Sequence, residues 1–269
     1  ALALSLMSST CGNRQPEITP TTLGADRLLF ERGMEALDNE SWALAREYFV
    51  QLRDNYPQSN FRSQARLAVA DTFDGQGTTE AYILALEEYR DFLALSPTDD
   101  RADYAQYKLA MVHFKQMRRP ERDQSETRNA ISEFRLFEER YQDSEMLGEV
   151  RARRREAEDR LSEASYVVGH FYYRNEWYPG AIDRFEAILR DDPGYTGMDS
   201  VYFHLAHSYQ ESSQPAKALP LFERLLSEFP ETEYLEQASL YMEALEDVET
   251  ELAVPPQTNT DPQTTSKER

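Results

Sequence analysis

The sequence predicts an all-helical protein built from about five repeated helix pairs, and two observations support this prediction. The first is composition: glycine accounts for only 10 of 269 residues, while 40% of the chain is hydrophobic and 12% is aromatic. Little glycine and many aromatic side chains favour a packed helical core over a β-rich or disordered chain. The second is a pattern of apolar residues that recurs along the middle of the chain.

Each copy of this pattern places apolar residues at fixed offsets and closes on a proline. In the first copy, Trp42 is followed by Ala45, Phe49, Leu52 and Pro57, at offsets of 3, 7, 10 and 15 residues. Offsets of three and four draw one stripe along an α-helix, and the proline then stops that helix. Further copies begin at Tyr82, Thr127, Tyr178 and Pro215, the third with Gln142 in place of proline. The spacing between copies leaves room for two helices and a turn.

This pattern resembles the tetratricopeptide repeat, a helix pair of about 34 residues. Gly33 and Gly169 stand nine residues before Trp42 and Tyr178, where a small residue lets the two helices of a pair approach closely. Such pairs stack because none can bury its apolar face alone. We therefore predict an all-α, right-handed tetratricopeptide-repeat solenoid of about five helix pairs, followed by a C-terminal capping helix. Residues 74–77 are expected to form a turn, and residues 118–124 to lengthen another.

The ends of the chain differ from this repetitive middle. Residues 1–24 are interpreted as a signal-peptide remnant, a lipidated Cys11 and a tether, because small residues before the cysteine resemble an imperfect lipobox. The alternative is an unmodified cysteine. Residues 25–143 are assigned to repeats 1–3, and residues 144–252 to repeats 4 and 5 with the cap. Residues 253–269 have almost no apolar side chains and are predicted to be disordered.

Charge and composition exclude several kinds of function. The chain has 29 Lys and Arg against 49 Asp and Glu, a formal net charge of −20 that disfavours nucleic acid as a partner. A single cysteine excludes an internal disulfide and a cysteine-based zinc site. His204 and His207 could share a metal, but no third ligand accompanies them. No nucleophile elbow or phosphate-binding loop is present, so we predict no cofactor, no metal and no enzymatic activity.

Peptide recognition is the chemistry that the sequence favours instead. In tetratricopeptide repeats the first helix of each pair lines a groove, and an apolar, aromatic lining suits extended peptides. The residues predicted to line this substrate groove are Phe30, Met34, Val69, Phe73, Tyr104, Tyr107, Met111 and Phe114. The alternative is burial against a neighbouring helix, and we expect about half of these side chains to be exposed.

Arginines form two clusters. Arg118, Arg119 and Arg122 lie in the lengthened turn of the third repeat. Residues 151–155 contain four more arginines with glutamates close by, and opposite charges at helical spacing are typical of a solvated, self-paired helix face. An arginine-rich docking face for a protein partner is the alternative.

Several segments make the chain resemble the BamD family, the outer-membrane lipoproteins of the β-barrel assembly (BAM) machinery. They are residues 56–59, 122–123, 165–178 and 183–193, together with the lipidation site interpreted at Cys11 and the five repeats. The resemblance implies a lipid-anchored protein without catalytic activity at the periplasmic face of the outer membrane. It also implies C-terminal repeats that bind the periplasmic domains of BamA, other BAM lipoproteins as partners, and N-terminal repeats that meet unfolded outer-membrane proteins. The partner-binding residues that it implies are Arg122, Asp123, Tyr173, Arg184, Arg190 and Asp191.

Two other classes stay open at this stage. One is another periplasmic repeat lipoprotein, such as the coordinator of cell-wall synthesis with the Tol–Pal system, although the coiled coil usual in that family is not visible here. The other is an enzymatic solenoid, which would need a catalytic module that the sequence does not show.

Overall fold

The structure is a computed structural model that describes residues 24–253, with side chains described as far as residue 245. Its described part contains eleven α-helices, which are five pairs and one further helix, as the repeats predict. The helices are α1 (Ala25–Asp38), α2 (Trp42–Asn55), α3 (Arg62–Gln76), α4 (Thr79–Leu95), α5 (Ala102–Lys115), α6 (Ser125–Arg140), α7 (Leu147–Arg174), α8 (Tyr178–Asp191), α9 (Met198–Glu211), α10 (Pro215–Glu228) and α11 (Leu235–Ala253). Cys11 and residues 12–23 of the predicted tether lie outside the described residues. Of the predicted tail, residues 253–269, only Ala253 is described, and it is the last residue of α11.

The stripe residues of the second helix in each pair form the core. Ala45, Phe49 and Leu52 of α2 are fully buried, and so are the residues at the same offsets in α4, α6, α8 and α10. Burying one large aromatic ring per helix stabilises each pair by about 1.5–3 kcal/mol relative to an exposed ring. Helices α2, α4, α8 and α10 each end two residues before a proline, because the residue before proline disfavours the helical conformation.

One predicted turn is shorter than the sequence suggests. Asp74 and Gly75 lie in the last turn of α3, which continues to Gln76, and only Gly77 leaves the helix, with a φ of +70°. Glycine adopts this left-handed conformation without steric cost. The carboxylate of Asp74 is buried in this last turn and pairs with a lysine of α5. The lengthened turn is present between α5 and α6, and the fourth repeat begins with the long helix α7.

The described residues divide into two units. Unit 1 comprises residues 24–112 and 139–144, and in it α1, α2, α3 and α4 pack in sequence order. Unit 2 comprises residues 113–138 and 145–253, and in it α7 to α11 pack in the same way, with α7 also touching α9. The predicted boundary between residues 143 and 144 stays a prediction. Within the described range, no helix is long and apolar enough to span a membrane.

Candidate functional site

A cleft in unit 2 brings together three of the six residues implied to bind a partner. The cleft has a volume of about 330 Å³ and is lined by the α5–α6 loop, the first turn of α6, the middle of α7 and one side chain of α8. Arg122 and Asp123 come from the loop, and Arg184 comes from α8. Leu161 and Val168 of α7 add apolar surface. The cleft therefore combines charged and apolar groups, which is typical of a protein-binding surface.

The α5–α6 loop is held in place by a buried glutamine. Gln124 is 5% exposed, and its Nε2 donates to the backbone carbonyls of Arg119 at 2.9 Å and Arg122 at 3.0 Å. The hydroxyl of Thr127 donates to Gln124 Oε1 at 2.8 Å. Since the amide nitrogen and oxygen of Gln124 both have hydrogen-bond partners, the loop is held in one backbone conformation. This conformation fixes the backbone position of Arg122.

Two further contacts complete the loop. The backbone N–H of Ser125, the first residue of α6, donates to Asp123 Oδ1 at 3.0 Å. This hydrogen bond holds the pKa of Asp123 below its usual value, because it favours the charged carboxylate. On the other side, Arg160 of α7 donates to the carbonyl of Arg118 at 3.3 Å. Asp123 therefore caps a helix as well as lining the cleft.

The arginines of the cleft form no close ion pairs with described carboxylates, although the charge of Arg128 helps to lower the pKa of Asp123 in the same cleft. Arg122, Arg128 and Arg184 line the cleft, and none of them forms an ion pair with a described carboxylate. An arginine presents several donors in a planar fork that matches a carboxylate. In a chain of net charge −20, unpaired arginines are available to acidic groups of a partner.

The arginines of α7 behave in the opposite way. Arg154 contacts Glu158 at 2.7 Å, and Arg153 contacts a glutamate one turn away at 3.3 Å. Arg155 donates through both terminal nitrogens to Asp192, at 2.8 and 2.6 Å. The sequence interpretation of this cluster as self-paired is confirmed for these three, and the docking alternative fits the loop arginine Arg122.

Tyr173 lies in a separate cluster of rings contributed by α7, α9 and α11. Its hydroxyl is 3.1 Å from His207 Nδ1, and its ring centroid is 4.7 Å from that of His204. His204 Nδ1 donates to the carbonyl of Ser200 at 2.7 Å, and burial lowers the pKa of this histidine to about 4. Burial also lowers the pKa of His170 and His207. These histidines are therefore neutral near pH 7, and the cluster packs as an aromatic group.

Arg190 and Asp191 lie at the end of α8 and do not line the cleft. They form an ion pair with each other at 2.9 Å, and both side chains are largely exposed. An exposed pair of this kind contributes little to stability. Their role in partner binding stays a prediction.

The predicted groove residues are divided between the two units. Val69 is 1% exposed and packs in the core of unit 1 with Leu29 and Phe49, so the expectation that it contacts a substrate is corrected for this residue. Its position on α3 directs it inward. The other predicted groove residues are partly exposed. Those in unit 1 are Phe30, Met34, Phe73, Tyr104, Tyr107 and Met111, and the one in unit 2 is Phe114. Their substrate role stays a prediction.

Sequence reasoning missed a charged network inside unit 1. Lys108 Nζ is 2.6 Å from Asp74 Oδ2 and 3.6 Å from Asp71 Oδ1. Tyr89 and Tyr104 donate to Asp71 at 2.5 and 3.0 Å. Burial raises the pKa of Asp71 despite these contacts. Burial alone would lower the pKa of Lys108, but the attraction of both aspartates outweighs it and raises the pKa. The signal available in the sequence was an aspartate pair three residues apart, Asp71 and Asp74, directly after the apolar residues 67–70.

Helix pairs with buried apolar stripes define a tetratricopeptide-repeat scaffold. The arginine-lined cleft lies on the surface of this scaffold. Residues 200–232 match the tetratricopeptide repeat directly. No group of three or more metal-ligating side chains occurs among the described residues. At the level of the family, residues 24–214 match YfiO, described as outer membrane lipoprotein, and the chain belongs to this family.

The relatives to which the chain is similar carry one name. The outer membrane protein assembly factor BamD of Caulobacter vibrioides is 26% identical over 210 residues, which cover 77% of this chain and 68% of that protein. BamD of Vibrio cholerae is 25% identical and covers 71% of this chain and 81% of its own length. Among solved structures, the TPR2AB domain of yeast Sti1 is 12% identical, with 86% of this chain and 87% of that chain covered and a TM-score of 0.46. The family match favours the outer-membrane lipoprotein over the Tol–Pal alternative.

Proposed function

We propose that this outer membrane lipoprotein is a non-enzymatic subunit of a BAM complex that binds a BamA-like barrel protein, other BAM lipoproteins and unfolded outer-membrane proteins. Relatives that carry the name outer membrane protein assembly factor support a role in assembly. The observation that carries the BamA-like contact is the cleft of unit 2, where Arg122 and Arg184 lie beside apolar residues of α7. Membership of the family supports lipid attachment to the membrane.

The chemistry of the cleft supports a folded protein domain as the partner. Arg122, Arg128 and Arg184 can donate to carboxylates in bidentate geometry, and their positive charge speeds encounter with an acidic surface. Leu161 and Val168 offer apolar surface between these charges. The whole chain has a net charge of −20, whereas the lining of this cleft has three arginines against two carboxylates, so the cleft is a preferred approach for an acidic partner.

Reversing one charge of the cleft tests the partner contact. We expect Arg184→Glu to weaken binding to the periplasmic domains of the barrel protein by about 10- to 100-fold and to reduce the salt dependence of that binding. The measurement is a titration of the full chain with those domains at two salt concentrations. Arg224→Glu is the matched control, because Arg224 is an exposed arginine of the same unit whose pair with Glu228 is weak.

Two results would count against this proposal. The first is equal affinity of the Arg184→Glu and Arg224→Glu variants. The second is recovery of the wild-type chain from detergent-extracted membranes with peptidoglycan enzymes or Pal instead of a sixteen-stranded barrel protein.

The substrate contact is proposed for the partly exposed apolar residues of unit 1. Strands of outer-membrane proteins alternate apolar and polar residues, and their aromatic side chains suit partly exposed apolar residues such as Phe73 and Met111. We expect the double variant Phe73→Glu and Met111→Glu to lose binding to C-terminal peptides of barrel proteins. Leu95→Glu is the control, since Leu95 is exposed on α4 and is not a predicted groove residue. Unchanged peptide binding by the double variant would remove this part of the proposal.

A further inference from the structure

The first helices of the last two pairs, α7 and α9, together with α11 carry a surface of aromatic rings in unit 2. On α7, the ring of His170 is nearly parallel to that of Tyr166, with 5.7 Å between centroids, and to that of Tyr173, with 6.0 Å between centroids. These rings are partly exposed, so they form a surface and not a sealed core. We call the partly exposed rings of the three helices the aromatic face: Tyr166, His170, Tyr173, His207, Tyr234 and Tyr241.

A buried phenylalanine joins the rings of α9 and α11. Phe203 is stacked on Tyr234 with 4.4 Å between centroids, and it is nearly parallel to His207 at 6.5 Å. The ring centroid of Tyr241 lies 4.8 Å from that of His207. Ring contacts of this kind hold side chains in defined positions. A ligand would therefore meet rings that are already ordered, which lowers the entropy cost of binding.

The aromatic face carries no charge on its rings near pH 7. Burial lowers the pKa of His170 and His207 below the usual value of histidine, and it raises the pKa of Tyr173 to about 12. A charged ligand would lose hydration on these rings without gaining an ion pair from them. The aromatic face therefore favours an uncharged segment as its ligand.

One buried polar atom beside the aromatic face lacks a hydrogen-bond partner. Gln210 follows Phe203 by seven residues and His207 by three, which places it on the same side of α9. Its Oε1 is buried, and within the described part of the chain no donor reaches it. A buried acceptor without a donor is costly. A docked segment that brings an amide N–H to this atom would gain a hydrogen bond.

The chain itself contains a segment with matching chemistry directly after α11. Residues 254–260 read Val-Pro-Pro-Gln-Thr-Asn-Thr, with two prolines, two side-chain amides and no charged residue. Proline-rich segments favour the extended polyproline II conformation, and aromatic-lined grooves bind that conformation. The segment follows the helix that contributes Tyr234 and Tyr241, so it starts beside the surface that suits it.

The length of this segment matches the distance that it has to cover. Tyr241 lies 12 residues before Ala253, the last residue of α11. At a rise of about 1.5 Å per residue, this part of the helix is about 18 Å long. Seven residues in the polyproline II conformation cover about 22 Å. Residues 254–260 can therefore run back along α11 as far as Tyr241.

We propose that the aromatic face binds residues 254–260 of the same chain as an intramolecular ligand. The two prolines pack on the rings of His207 and Tyr241, and an amide N–H of the segment donates to Gln210. A short linker gives such a segment an effective concentration on the order of millimolar, so a weak contact is enough to keep it bound. The bound segment covers the aromatic face, and a proline-rich segment of another protein reaches the face only by displacing it. This inference does not depend on the function proposed above.

The first test compares two double substitutions in the full chain. Pro255→Glu with Pro256→Glu places two charges inside the proposed ligand, whereas Thr264→Glu with Thr265→Glu places two charges beyond it. We expect the imidazole NMR signals of His170 and His207 to shift in the proline variant and to stay unchanged in the threonine variant.

The second test measures proximity with a spin label. The sequence has one cysteine, so the full chain with Cys11→Ser can carry a nitroxide at Thr258→Cys alone. We expect the label to broaden the ring signals of His207 and Tyr241, and the broadening to weaken when Pro255→Glu and Pro256→Glu are added. A mixture of spin-labelled chains with isotope-labelled chains that lack the nitroxide should show no broadening, because the contact is within one chain.

Four results would overturn the inference. The first is unchanged signals of His170 and His207 in the proline variant. The second is an equal shift in both double variants, which would assign the shift to added charge and not to docking. The third is undiminished broadening in the proline variant, which would mean that the linker alone brings the label close. The fourth is broadening between separate chains, which would make a second copy the occupant of the aromatic face.

Discussion

Unit 1 and unit 2 bury polar side chains in different ways. Unit 1 buries formal charges, since Asp74 is 4% exposed and pairs with Lys108, while Asp71 lies beside them. Unit 2 buries a neutral group, since His204 is 6% exposed and its pKa is lowered to about 4. The difference teaches that similar helix repeats can tolerate a polar interior either by pairing charges or by suppressing them. The two solutions respond differently to mutation and to pH.

The largest expected effect comes from removing the cation of unit 1. Lys108→Met leaves Asp71 and Asp74 without their positive partner, and breaking a buried pair in this way costs about 3–5 kcal/mol. The free energy of unfolding of unit 1 can be followed by Trp42 fluorescence in a Trp177→Phe background. The loss should shrink as the pH falls, because a protonated Asp71 no longer needs a cation.

Lys217→Met is the control for this change, because Lys217 is an exposed lysine of unit 2. A loss below about 1 kcal/mol at pH 7 for Lys108→Met would mean that hydrogen bonds from the two tyrosines are enough to stabilise Asp71. The attraction between Lys108 and the aspartates would then contribute little to the stability of unit 1.

Acidification should change the stability of the two units in opposite directions, lowering that of unit 2 through His204 and raising that of unit 1 through Asp71. The folded-state pKa of His204, about 4, lies below the unfolded value of about 6.5, so the unfolded chain binds more protons and unit 2 loses stability as the pH falls from 6.5 to 4. The loss from this histidine is about 3 kcal/mol. The pKa of Asp71 is raised on folding, so its contribution to unit 1 increases as the pH falls.

Single-tryptophan variants measure this contrast, with Trp177 reporting unit 2 and Trp42 reporting unit 1. His204→Gln is the matched variant, because an amide can keep a hydrogen bond to Ser200 without becoming charged. Above pH 7, the difference in unfolding free energy between wild type and His204→Gln should no longer depend on pH. Equal pH profiles for both chains below pH 6.5 would show that other groups that face His204, including His170 and His207, govern the acid response.

The contrast between the units was largely invisible in the sequence, although the fold was not. The stripe at offsets of 3, 7 and 10 predicted the buried Ala45, Phe49 and Leu52, because helix geometry alone fixes which residues share a face. The pairing of Lys108 with Asp74 depends on how α3 and α5 meet, which local periodicity does not encode.

The candidate site was predictable only in part. The family resemblance predicted Arg122 and Arg184 as partner-binding residues, and the packing of unit 2 brings both to one cleft. The same resemblance predicted Arg190, which lies outside that cleft. Arg155 pairs with Asp192, a carboxylate far away in the sequence. Residue spacing within one helix therefore could not show that Arg155 is paired and that Arg184 is not. The exposure of Trp177 follows from the turn before α8, where Glu176 has a positive φ that sequence patterns do not assign.

The smallest expected effect concerns a feature that the two units share. Gly33 in α1 and Gly169 in α7 face a buried ring of the next helix, and an added Cβ would lie 2.5 Å from Phe49 or 2.7 Å from Phe185. Overpacking costs about 1–3 kcal/mol, and the better helix propensity of alanine offsets about 0.5–1 kcal/mol. We expect Gly33→Ala and Gly169→Ala each to lose about 1 kcal/mol of unfolding free energy in chemical denaturation.

Binding should then distinguish the two glycines where stability does not. A Cβ at Gly169 would also come within 3.0 Å of the Cβ of Arg184, so Gly169→Ala displaces a cleft arginine, while Gly33→Ala changes only the core of unit 1. Gly148→Ala is the control, because no atom lies within 4 Å of its added Cβ. Equal losses of stability with weaker partner binding only in Gly169→Ala would tie the position of Arg184 to the packing of α7 on α8. Equal binding by both alanine variants would mean that the arginine reaches its partner from more than one backbone position.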